Sequence, residues 1–148
     1  MKRILVGVDG SPASLKAVEL AGDLPRKCGA QLTLLTVVPR SPPAVASCYA
    51  EYARIEHTQE PPKEFVVAAA EEVLDRARRA TGAKGAAPIE AEPAFGDPAR
   101  EIIATAEDRN ADLIVVGSRG HGRLAGLLLS SVAHKLVSHA PCPVLVVR

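Results

Sequence analysis

Asp112-Leu113-Ile114-Val115-Val116-Gly117-Ser118-Arg119-Gly120 sets an unbroken aliphatic run against a glycine-bracketed polar turn, and after nine intervening residues stand Ser130 and Ser131. The aliphatic run reads as a short buried strand, the polar turn as a phosphate-sized connection into a helix. Glycines lack a Cβ and tolerate positive φ, so backbone N–H groups can converge on an anion there, and a helix start supplies further unpaired N–H groups. Ser130 and Ser131 add hydroxyl donors, while Arg119, His121 and Arg123 add two permanent charges and one titratable group. The spacing matches neither a Walker A loop nor Gly-x-Gly-x-x-Gly. A tight strand-to-helix turn would equally require Gly117 and Gly120, and Arg119 and Arg123 also fit ordinary solvated surface charge.

Outward from this turn, short apolar runs alternate with amphipathic stretches. Ile4 to Val8 predicts a buried strand, followed by Asp9-Gly10-Ser11-Pro12 with an N-cap serine and a proline at the first helical position. Leu15, Val18, Ala21 and Leu24 form one helical face ending near Gly29. Leu32 to Val38 is a second strand stopped by Pro39, and Val66, Ala69, Val73 and Ala77 mark a second helix. Ile89 to Pro93 alternates as an exposed edge strand would, and Asp97-Pro98 opens a third helix containing Ile102, Ile103 and Ala106. Leu113 to Val116, Ser131 to His139 and Val144 to Val147 complete the pattern as strand, helix and strand. Repeated β-α units predict one α/β domain over residues 1–148, a doubly wound five-stranded parallel sheet with helices on both faces.

Composition narrows the function. The chain has 148 residues, enough for one domain with a real core, and its formal net charge of +1 gives no global field for nucleic acid or a membrane surface. No 18-residue uncharged apolar window occurs, and the N-terminus runs straight into a core strand, so the expectation is a cytoplasmic protein. Cys28, Cys48 and Cys142 are odd in number and scattered, which implies neither a disulfide framework nor a zinc site, and Cys142 reads as core packing. His57, His121, His134 and His139 lack metal-ligand spacing. Residues 39–62, bracketed by Pro39, Pro42, Pro43, Pro61 and Pro62, follow the second strand and are expected to form a short helix or lid on the ligand side.

In doubly wound sheets, ligands sit beyond the carboxyl ends of the strands where the winding reverses, which places Asp9 and Gly117 at the switch point. Asp9 has two readings, contact with a ligand or closure of its own turn. The last strand is apolar throughout and can lie at an edge, so pairing with a second copy through Val144 to Val147 is expected.

The segments Ile4-Leu5-Val6-Gly7-Val8-Asp9-Gly10-Ser11, Leu34 to Val38, Gly96-Asp97-Pro98-Ala99, Ala111 to Gly120 and Pro141-Cys142-Pro143-Val144-Leu145-Val146-Val147 together resemble the universal stress proteins, across essentially the whole chain. That resemblance implies a flavodoxin-like sheet of the adenine nucleotide alpha hydrolase-like type, in order 3-2-1-4-5, and a homodimer joined through the fifth strand. In one subgroup it also implies an ATP site of pattern Gly-x2-Gly-x9-Gly-Ser/Thr, with Mg2+ or Mn2+ held by the ATP phosphates. Gly117 and Gly120 match the glycines and Ser131 the hydroxyl. By the same resemblance Asp9 contacts adenosine, Val37 lines the adenine pocket, Val132 offers backbone, and Gly7, Val8, Val116 and Arg119 flank these positions. Ser130 departs from the pattern, because the ATP binders carry glycine there. At positive φ, or in touching distance of phosphate, its side chain would cost on the order of a kcal/mol or clash. At negative φ its hydroxyl would cap the fourth helix. Ser118, Ser130 and Ser131 are also candidate phosphate acceptors, against helix capping for at least one of them.

Three functions follow from these residues. The first is an ATP-binding dimeric stress or signalling module with slow or absent hydrolysis, acting through an unknown protein partner. The second is a nucleotide-free dimerisation and interaction module, argued by Ser130. An adenylating or flavoprotein enzyme is weakened because no Ser-Gly-Gly-x-Asp-Ser stretch occurs, and a receiver domain because Asp9 lacks an adjacent acidic partner for Mg2+.

Overall fold

The computed structural model describes residues 1–39, 63–82, 89–120 and 129–148. The expected lid at 39–62 therefore falls almost wholly outside the described residues, as do His121 and Arg123. Five strands, β1 (Arg3–Val8), β2 (Gln31–Val38), β3 (Ile89–Phe95), β4 (Leu113–Gly117) and β5 (Val144–Val147), pair in parallel in the order β3-β2-β1-β4-β5. Between them run α1 (Pro12–Cys28), α2 (Lys63–Ala80), α3 (Pro98–Asp108) and α4 (Ser131–His139). Among the described residues, no helix is long and apolar enough to cross a membrane.

The period of two along each strand sorts the side chains into two cores. Ile4, Val6 and Val8, with Leu32, Leu34 and Val115, pack under Ala17, Val18 and Ala21 of α1 and Leu74 and Ala77 of α2. Leu5, Leu35, Ile114 and Val116 face the other way, under Ile102 and Ala106 of α3 and Ala133 and Leu136 of α4. Register locks the faces together, with Leu5 opposite Ile114 and Gly7 opposite Val116. A slip of one residue would expose both sets at once.

Helix starts follow the sequence. Ser11 caps α1 by accepting the Ser14 N–H at 3.2 Å, with Pro12 next, and Asp97 caps α3 by accepting the Arg100 N–H at 3.0 Å. α1 ends at Gly29, whose φ of 64° is the left-handed region that glycine enters freely. On the predicted face of α2, Ala77 is buried, Val73 packs against the α1/α2 core and Val66 is half-buried, while Ala69 faces solvent and Ala70 and Leu74 are buried in addition. Leu74 decides between the two alanines, because burying its larger apolar surface outweighs the small difference between one alanine and its neighbour. β3 runs on to Phe95, beyond the predicted end at Pro93, and stays half-exposed along the sheet edge. β5 forms the other edge, and its Leu145 is 37% exposed.

Candidate functional site

The carboxyl ends of β1 and β4 are adjacent, and the turns leaving them interlock. In the turn after β1, Gly10 lies at φ 79° and the Asp9 carboxylate accepts the Ser11 N–H at 2.9 Å. Ser11 donates its hydroxyl to the Arg119 carbonyl at 3.2 Å, tying this turn to the one after β4. Ser14, which the sequence reading passed over, is buried and donates its hydroxyl to the Ser11 carbonyl at 2.9 Å. The Ser-x-x-Ser spacing at a helix start was the signal that could have revealed it.

The turn after β4 is anchored by main chain. Ser118 N–H donates to the Val147 carbonyl and Ser130 N–H to the Ser118 carbonyl, both at 2.7 Å, which holds the start of α4 beside the end of β4. Ser130 has φ −66° and ψ 158°, and its hydroxyl accepts the Ala133 N–H at 3.1 Å. It is therefore an unstrained N-cap, the second of the two conformations the sequence allowed. The cap leaves the first-turn N–H groups of Ser131 and Val132 without intrahelical partners, directed out of the helix start.

The two motif glycines answer to different neighbours. A Cβ on Gly117 would lie 2.7 Å from both the Ala13 carbonyl carbon and the Ser14 nitrogen, so α1 packs its first turn directly on this residue. A Cβ on Gly120 would instead lie 2.7 Å from Asp9 Oδ2, the end of a side chain. Neither glycine has positive φ. Gly7 resembles Gly117: its missing side chain makes room for Ile102 Cδ1, which would sit 2.9 Å from a Cβ there.

Of the other predicted residues, Val116 is buried in the α3/α4 core, and Val37 and Val132 are half-buried against it. Val8 does not join it, because its side chain is buried in the α1/α2 core. Ser131 is exposed at the start of α4. Arg119 lines a cleft of about 490 Å³ together with Ser11, Lys16, Ser118, Gly120 and Arg148. A smaller cleft of about 200 Å³, lined by Arg3, Gln31 and Arg109, lies at the opposite, amino ends of the strands. Among the described residues no group of three or more His, Cys, Asp or Glu side chains is placed to hold a metal. Cys142 is half-buried against the α3/α4 core; burial pushes its thiol up, and the Asp112 charge adds to the shift.

Comparison with known proteins agrees with this architecture. A universal stress protein YxiE from Bacillus subtilis is 34% identical over 148 residues, covering 99% of this chain and 98% of its own. The solved universal stress protein UspA from Lactobacillus plantarum superposes with a TM-score of 0.76 at 28% identity, covering 99% of this chain and 97% of the other. A universal stress protein crystallised in complex with cAMP superposes with a TM-score of 0.64 at 32% identity, covering 99% and 96%. The model of the universal stress protein family matches residues 1–148, and the chain belongs to that family.

Proposed function

We propose that this single-domain chain is a cytoplasmic, homodimeric nucleotide-binding module of a stress or signalling response, taking ATP with Mg2+ or Mn2+ on its phosphates. Ser130 carries the reading. Its departure from glycine is the main objection to a nucleotide, and φ −66° removes the backbone-strain part of that objection, since the side chain is unstrained and caps α4. The N–H groups of Ser131 and Val132 would then receive phosphate, Val37, Val116 and Val132 would cover an adenine ring, and Asp9 would meet the sugar. The similar protein solved with cAMP supports an adenine nucleotide as the ligand class. Hydrolysis is slow or absent, because Asp9, the carboxylate that the described residues bring to this switch point, would serve the nucleoside and stand away from an attacking water. Dimerisation would cover the apolar edge of β5.

One observation favours the nucleotide-free alternative. Gly117 and Gly7 are already demanded by α1 and Ile102, so their presence is explained without a ligand. Calorimetric titration with ATP and Mg2+ separates the two. Micromolar binding that weakens roughly tenfold or more in Asp9→Asn, which can keep the Ser11 N–H bond of the turn, supports the nucleotide module. No binding by the native chain, with binding restored in Ser130→Gly, would transfer it to the interaction-module reading.

A further inference from the structure

We propose a second binding site at the amino ends of the strands, the end away from Asp9 and Gly117, in the cleft lined by Arg3, Gln31, Thr33 and Arg109, which takes a short-chain hydroxycarboxylic acid. Three observations converge on it. Thr33 lines the cleft at 6% exposure, on the face of β2 that continues with Leu35 and Val37, and among the described residues its hydroxyl makes no hydrogen bond. An enclosed hydroxyl without a partner is unfavourable, so its partner has to come from the cleft. Arg3 is exposed at the rim and makes no ion pair among the described residues, whereas the charge of Arg109 is taken by Glu90 and Glu92. The volume, about 200 Å³, lies below the roughly 300–1,000 Å³ of sites for drug-sized ligands, which suits a small acid and excludes a nucleotide.

Register puts these groups on one surface. Thr33 stands opposite Leu5 of β1 and Glu90 of β3, and Gln31 opposite Arg3, so all of them belong to the sheet face under α3 and α4. Arg109, the residue that ends α3, closes one side: its guanidinium donates to Glu90 and Glu92, and Gln31 Nε2 donates to Glu90 at 2.8 Å. The main-chain N–H groups of Lys2 and Arg3 donate to the Asp112 carboxylate at 2.6 and 2.9 Å, which pins the start of β1 and leaves the Arg3 guanidinium for a ligand. Much of the lining is thus held before any ligand arrives, which lowers the ordering cost of binding. Gln31 and Thr33 are two residues apart on β2, roughly 6.6 Å at about 3.3 Å per residue. A carboxylate on the Arg3 fork at the rim and a hydroxyl a few bonds away on Thr33 span that interval, with Leu5 against the carbon chain. Glu90 and Glu92 beside the cleft disfavour a second negative charge, which selects a monocarboxylate over phosphate.

The site does not rest on the nucleotide reading, and it is tested without a nucleotide. The probes are 3-hydroxybutyrate, butyrate, which lacks the hydroxyl, and inorganic phosphate. Each is titrated into the isotope-labelled native chain and into Thr33→Val and Arg3→Gln variants, with amide chemical shifts as the readout and folding checked by circular dichroism. In the native chain 3-hydroxybutyrate should bind more tightly than butyrate and shift the amides of Arg3, Thr33, Arg109 and Ala111. Thr33→Val should weaken 3-hydroxybutyrate roughly 3- to 10-fold and leave butyrate unchanged, while Arg3→Gln should weaken both acids roughly tenfold or more. No binding of either acid, equal native affinity for the two, or shifts confined to the turns after β1 and β4 would overturn the site. Phosphate bound more tightly than both acids would overturn the choice of a monocarboxylate. Arg3→Gln is an exposed substitution, so its result stands even if Thr33→Val disturbs the sheet.

Discussion

Gly117→Ala is expected to damage the fold, and Gly120→Ala to leave it nearly intact. The methyl group added at position 117 would lie 2.7 Å from two backbone atoms of α1 and 3.0 Å from Ala13 Cβ, where ordinary contact begins near 3.4 Å. The first turn of α1 must therefore retreat by roughly 0.7 Å, as an overpacked core element does. It cannot retreat freely, because Ser11 is bonded to the Arg119 carbonyl and Ser14 to the Ser11 carbonyl. Overpacking of this kind costs about 1–3 kcal/mol. Taking about 2 kcal/mol and a urea m-value of about 2 kcal/mol/M, the unfolding midpoint should fall by about 1 M. The matching loss in Tm is about 4–8 °C. At Gly120 the obstacle is the Asp9 carboxylate, which can swing away, so stability should change by no more than about 0.5 kcal/mol. Nucleotide binding, in contrast, should suffer from the displaced Asp9. Urea denaturation followed by circular dichroism at one fixed protein concentration measures both variants, since the stability of the proposed dimer would depend on concentration. A Gly117→Ala midpoint within about 0.2 M of the native one, or equal losses in the two variants, would refute the reasoning.

Gly22→Ala tests the same argument away from the site: its Cβ would meet the Thr81 carbonyl oxygen at 2.8 Å, so thermal unfolding should show a loss of about 1–3 kcal/mol, and an unchanged Tm would contradict it. Ser130→Ala removes the α4 cap and should cost about 1 kcal/mol, against a few tenths for Ser130→Gly; equal effects in chemical denaturation would deny the cap any energetic role. The Asp97 carboxyl is held below its ordinary 3.8 by the Arg100 N–H first and then by Lys135. Its contribution is therefore complete above the unfolded-state value and is lost as pH falls through the lower folded-state one. Asp97→Asn keeps a capping oxygen but drops the charge, so it should lower stability at pH 7 by less than about 1 kcal/mol and match the native chain near pH 2. A gap that persisted in acid would place the effect elsewhere.

Much of the fold is legible because each element carries its own local signal. The strands are runs of Ile, Leu and Val, Ser11-Pro12 and Asp97-Pro98 announce helix starts, and Gly29 marks a helix end; all three become the caps they predict. On α2, Val73 and Ala77 reach the core as their spacing predicts, but Ala69 does not, because Ala69 and Ala70 are chemically identical and only packing against the sheet through Leu74 chooses between them. At the site, Asp9, Gly117 and Gly120 are legible as a strand-end constellation. What demands each glycine is not, because Ala13 and Ile102 are remote in sequence and meet Gly117 and Gly7 only after the helices dock. Lys16 and Arg148 are hidden for the same reason: they join Arg119 at one cleft only through the pairing of β1, β4 and β5.

Asp9 shows why a turn residue and a ligand residue need not be alternatives. Its Oδ1 accepts the Ser11 N–H and so holds the turn in which Gly10 sits at φ 79°, while Oδ2 lies toward Gly120. Alanine at position 9 would disturb both functions together, and lost binding would then have two causes. Asn is the sharper probe: its amide oxygen can keep the Ser11 N–H, which fixes the orientation and turns the NH2 group toward Gly120. An acceptor is thereby replaced by a donor at the one position where a nucleotide hydroxyl would be received. A hydrogen bond to a charged acceptor contributes about 1.5–3 kcal/mol, so Asp9→Asn should weaken adenosine binding by roughly 10- to 100-fold while the urea midpoint stays close to native. Native affinity in Asp9→Asn would confine this carboxylate to its turn.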